Sequence, residues 1–106
     1  MEYELKEALE DGGVLEIECI TAANRTSEEV RGEWSIFVRE TVGGQVVRSV
    51  LCSRRNTGPR VFRTARGVVG LAAKLGATVI SVPLLEGEIG VCEVSFPETS
   101  AGDADK

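Results

Sequence analysis

The sequence predicts an α+β domain: a mostly antiparallel sheet of four to six strands with one main helix packed on one face. Three observations point there. Two β-rich runs, EWSIFVRET and QVVRSVLCS, are separated by Gly43-Gly44, and a glycine pair suits the two-residue hairpin turns that need φ > 0. The stretch ARGVVGLAAKL sits between Thr64, which suits a helix N-cap, and Gly76, which suits a C′ position. At 106 residues the chain has room for one core. With only five aromatics, that core must be mostly aliphatic.

Taken in order, residues 3–11 place Leu5, Ala8 and Leu9 on one helical stripe, and Gly12-Gly13 can end that helix. VLEIECI, 14–20, alternates Leu15, Ile17 and Cys19 against Glu16 and Glu18, the pattern of a strand with one wet face. Residues 21–32 are polar and aperiodic and read as a long loop, with one helical turn starting at Thr26 or Ser27. The hairpin 33–53 follows. Asn56-Thr57-Gly58-Pro59 is a turn into the extended stretch 60–63, and the capped helix comes next. TVISVPLL and IGVCEVSF read as two further strands around Glu86-Gly87-Glu88. Residues 1–96 form the expected domain, and 97–106 an acidic, disordered tail.

Several function classes drop out. No apolar run approaches the roughly 20 residues that span a bilayer, and the start MEYELKEALEDGG lacks the basic and apolar regions of a secretory signal. A cytoplasmic domain is therefore expected. Three cysteines with no C-x-x-C predict neither a disulfide framework nor a zinc ribbon, and reduced thiols are expected instead. There is no histidine, no G-x-S-x-G, no Walker A and no G-x-G-x-x-G. Neither an enzyme nor a cofactor is indicated.

Charge is the most informative feature. Residues 1–40 carry a net charge of −7 and residues 86–106 one of −5. Residues 41–85 carry seven bases and no acid. Six of the seven are arginine, whose planar fork suits phosphate and carboxylate.

If Gly43-Gly44 form a two-residue turn, positions whose numbers sum to 87 face each other. Trp34, Ile36, Val38 and Leu51 then share a core face, while Arg39 lies opposite Arg48 beside Phe37 on the other. Like charges directly across strands repel unless something joins them. Two alternatives stay open. An anion joins the arginines, with Phe37 stacking on a base, or Glu16 and Glu18 of the preceding strand neutralise them. Arg54, Arg55, Arg60, Arg63 and Arg66, leading into the start of a helix, make a second candidate phosphate surface.

The stretch 47–84 resembles small plasmid- and mobile-element proteins of replication or partition. Arg60, Phe62, Arg63, Thr64, Leu75 and Gly76 carry that resemblance. The strands followed by a helix with an F-x-T start are also similar to the arm-type DNA-binding domains of phage integrases. The resemblance implies an accessory protein of a mobile element, and with the hairpin and loop readings above the expectation is a non-enzymatic protein that binds nucleic acid through Arg39, Arg48, Arg54, Arg55, Arg60, Arg63, Arg66 and Phe37. A homodimer is expected where the last strand forms a free edge. The alternative is an acidic regulator or inhibitor that imitates nucleic acid and engages a basic protein partner, such as a nuclease or defence complex.

Overall fold

The computed structural model of the chain describes residues 2–26, 28–52 and 58–96. Among them, helix α1 (Glu2–Glu10) leads into strands β1 (Val14–Asn24), β2 (Arg31–Val42), β3 (Gln45–Val50) and β4 (Phe62–Thr64). Helix α2 (Ala65–Lys74) follows, then β5 (Ala77–Val79) and β6 (Ile89–Val94). The six strands make one antiparallel sheet of order β3-β2-β1-β6-β5. β4 pairs with the first half of β2, below the stretch that β3 occupies. This is the α+β class that the sequence predicts.

Period-two alternation sorts the two faces of the sheet. Leu15, Ile17 and Cys19 of β1 and Trp34, Ile36 and Val38 of β2 all point to one side and are fully buried. Leu5 and Leu9 of α1 and Val68, Leu71, Ala72 and Leu75, in and just beyond α2, close over them. Both helices thus pack on one face, and among the described residues the opposite face carries none. Burial raises the thiol pKa of Cys19 and Cys92, and Glu86 and Glu88 add to the rise at Cys19.

The turn chemistry holds where glycine supplies the backbone. Gly43 and Gly44 have φ of 59° and 83°, the type I′ geometry that sets the hairpin register: Val42 pairs with Gln45 and Phe37 with Val50. Thr64 caps α2 by accepting the Gly67 N–H at 3.1 Å, and Gly76 ends the helix at φ 111°.

Elsewhere the sequence expectations need correction. β1 runs on to Asn24 and β2 begins at Arg31, so most of the expected loop 21–32 is hairpin. Its polar residues lack hydrophobic alternation, but the backbone finds partners. Thr21 pairs with Glu33, and the Ala23 N–H donates to Leu84 O at 2.9 Å. In the tip, Asn24 Oδ1 accepts from the N–H and the hydroxyl of Thr26, an Asx turn in place of a helical one. Ser27 lies outside the described residues.

β3 stops at Val50, short of the expected Ser53, and Phe62 of β4 takes the place opposite Trp34. The expected strand 78–85 survives only as Ala77–Val79. Pro83 has no N–H to give a ladder, and its carbonyl instead accepts the Trp34 Nε1–H at 2.7 Å. β6 is not a free edge. It pairs with β1 on one side and β5 on the other, and Ser81 O approaches Gly90 so closely that a Cβ there would overlap it. The homodimer expected through β6 therefore loses its edge.

Candidate nucleic-acid interface

On the helix-free face, Arg39 and Arg48 lie opposite each other as predicted. Their partner is Glu16 of β1. Arg39 Nε donates to Glu16 Oε2 at 2.7 Å, and Arg48 Nε to Oε1 at 2.9 Å. Arg48 Nη1 also reaches Glu18 at 3.2 Å. Register explains the arrangement. Glu16 sits directly opposite Phe37, so Arg48 must lie across the Phe37 ring to reach it, and its guanidinium carbon is 3.7 Å from the ring centroid. One cation–π contact and two ion pairs follow from a single crossing.

Glu16 is only 6% exposed. Burial by itself would raise its pKa, but the hydrogen bonds and charges of Arg39 and Arg48 outweigh it and hold the carboxylate below its usual range. The carboxylate already occupies the position between the two arginines where an anion would sit. The ring of Phe37 is likewise covered on the face that a base would need.

The second cluster lies across the sheet, along α2. The N-terminus of that helix is well satisfied: the Ala65 N–H donates to Val30 O at 3.0 Å and the Gly67 N–H to Thr64 Oγ1. The hollow beside it is lined by Glu28 and Glu29 as well as Arg66. Two amides are used and two carboxylates stand guard, so the helix start is poorly suited to an anion.

One turn further on the surroundings reverse. A shallow groove is bordered by Arg60, Arg66 and Lys74, floored by Gly67 and Gly70, and backed by Phe62 and Leu71. Among the described residues no carboxylate lines it. Arg66, Gly70 and Lys74 fall at i, i+4 and i+8, one stripe on the outer face of the helix. Arg66 and Lys74 make no ion pair among the described residues. A Cβ at Gly70 would meet nothing within 4 Å, so a ligand can approach the helix backbone there. Arg60 lies over the ring of buried Phe62, its guanidinium carbon 4.7 Å from the centroid.

The residues proposed from sequence therefore divide. Arg39, Arg48 and Phe37 come together, around an internal carboxylate. Arg60 and Arg66 come together with Lys74. Arg63 is exposed on β4 and, by alternation with core-facing Phe62, points away from the groove. Arg54 and Arg55 lie outside the described residues. Lys74 and the glycine floor were missed, although the stripe of Arg66, Gly70 and Lys74 was readable once the helix had been placed. No family model, curated protein or solved structure matches the chain.

Proposed function

We propose that this protein is a non-enzymatic, cytoplasmic accessory factor that binds nucleic acid through phosphate contacts at the α2 groove. One observation carries the reading: three basic side chains border a glycine-floored groove that no described carboxylate lines. Arginine and lysine are the residues that position a phosphate backbone, and glycine lets that backbone come close. The mobile-element association rests on the resemblance of residues 47–84 alone.

Phosphate binding has a signature in salt. Each direct contact contributes a slope of about −0.9 in log K against log salt on a duplex. With about three contacts, raising salt from about 50 to about 200 mM weakens binding about 40-fold. Fluorescence anisotropy of a labelled oligonucleotide at those two concentrations reads this directly. Changing Arg66 and Lys74 together to Ala should flatten the slope by about two units and leave stability within about 0.5 kcal/mol, since both are exposed and make no ion pair among the described residues. Flat anisotropy with every probe at low salt would end this reading in favour of an acidic protein-binding regulator.

A further inference from the structure

We infer that the nucleic acid held at the α2 groove is a duplex, gripped by its phosphate backbone without regard to base sequence; this rests on the nucleic-acid reading above. Proteins that hold single strands combine a basic groove with aromatic rings on which successive bases stack. Here four of the five aromatic side chains are described, and each has its ring engaged. Trp34 is fully buried and donates to Pro83 O. Phe37 lies under the Arg48 guanidinium. Phe62 is buried with Arg60 above it. Phe96 packs so tightly on Gly76 that a Cβ there would overlap the ring. Among the described residues the groove therefore has cations but no free stacking platform.

Among the described residues its outer rim also lacks the amide, hydroxyl and carboxylate groups that read base edges. The exposed positions of α2 are Arg66, Gly67, Val69, Gly70, Ala73 and Lys74. None is Asn, Gln, Ser, Thr, Asp or Glu, the side chains that pair with adenine, cytosine or mixed edges. Arg66 and Lys74 could each address a guanine, and no other exposed side chain of α2 distinguishes the remaining bases.

What remains is attraction to charge. A duplex presents one negative charge per about 1.7 Å of axis, twice the density of a single strand in the same geometry. A site built of Arg60, Arg66 and Lys74 over a smooth glycine floor gains most from the denser array. A strand that has to unstack gains nothing here in return.

The test uses the full chain and labelled DNA of about 20 nucleotides, as a duplex and as its separate strand, at about 50 mM salt. The duplex should bind at least about tenfold tighter than the strand, and two unrelated duplexes should agree within about threefold. Arg66→Ala with Lys74→Ala should weaken duplex binding by about tenfold or more. Equal or tighter binding of the single strand would overturn the duplex inference while leaving the groove as a nucleic-acid site. A strong preference between duplexes would overturn the claim of sequence independence. Failure of both probes to bind would overturn the nucleic-acid reading itself.

Discussion

Two arginine clusters in this molecule look alike in sequence and differ in what surrounds them. Arg39/Arg48 and Arg60/Arg66 each place two arginines beside an aromatic ring. In the hairpin, the neighbouring strand β1 delivers Glu16 and Glu18 against the pair, and the charges close on one another. On α2, the nearest acids, Glu28 and Glu29, stand at the helix start, and the groove beyond it keeps its positive charge. Local sequence therefore does not decide whether an arginine meets a carboxylate. The partner strand's register decides it, and a shift of β1 by one residue would turn Glu16 into the core and leave both hairpin arginines unpaired.

The largest effect should come from removing the carboxylate that makes the difference. Glu16→Ala strips Arg39 of its partner and Arg48 of one of its two, Glu18 remaining, and leaves like charges facing across β2 and β3. Loss of one partner of a fully buried pair costs about 3–5 kcal/mol. Arg39 and Arg48 keep about a third to two-fifths of their side-chain surface in water and can rehydrate, so about 2 kcal/mol is expected by urea denaturation. Arg66→Ala/Lys74→Ala should cost almost nothing in the same assay. Equal costs for the two variants would erase the distinction between the clusters.

Acid should expose the same contrast. The folded-state pKa of Glu16 is lowered from its ordinary 4.5. Its contribution to stability is therefore complete above that value and is lost as pH falls through the lower folded value, because the unfolded chain takes up the proton first. Urea midpoints between pH 7 and pH 3 should drop at the acid end in the native chain. In Glu16→Gln the drop should be shallower, the remainder coming from other carboxylates. Identical profiles would mean that the Arg39–Glu16–Arg48 cluster contributes nothing to acid stability.

These contrasts also explain what the sequence made legible. Hairpin register, the burial of Trp34, Ile36 and Val38, and both ends of α2 follow from residues with few conformational options: Gly43-Gly44, Thr64 and Gly76. The turn at Glu86-Gly87-Glu88 is legible, but the stretch 80–85 reads as strand because its β-branched content outweighs Pro83, whereas its carbonyls accept from Ala23 and Trp34 rather than along a ladder. The polar residues of 21–24 form a strand because partners distant in sequence pair with them. The neutralising role of Glu16 and Glu18 was readable as an alternative. Choosing between the alternatives needed the spatial order of β1, β2 and β3.

A smaller effect sharpens the hairpin half of the comparison. The Arg48 guanidinium over Phe37 should contribute about 0.5–1 kcal/mol at this partly exposed site. Phe37→Leu keeps an apolar side chain while deleting the π-face, so thermal melts should show a loss of about that size. Affinity for a DNA duplex should be unchanged. A fall in affinity with stability intact would return Phe37 to the binding surface and break the division between the two clusters.

The smallest change, one methyl group, tests the other half. Gly70 lies in the interior of α2, where glycine costs roughly 0.5–1 kcal/mol relative to alanine. A Cβ there would meet no protein atom within 4 Å, so Gly70→Ala should stabilise the fold by about that amount. Gly67 is the control: its Cβ would come 3.1 Å from Thr64 Oγ1, the capping oxygen, so Gly67→Ala should gain less or lose. If a phosphate backbone lies along the groove floor, the Gly70 methyl group occupies the space it needs. Stability and affinity should then move in opposite directions, with a higher melting temperature beside duplex binding weakened several-fold. A variant that melts higher and binds DNA as well as the native chain would mean that the ligand does not touch the floor. The contacts of Arg66 and Lys74 would then have to be made from the rim of the groove alone.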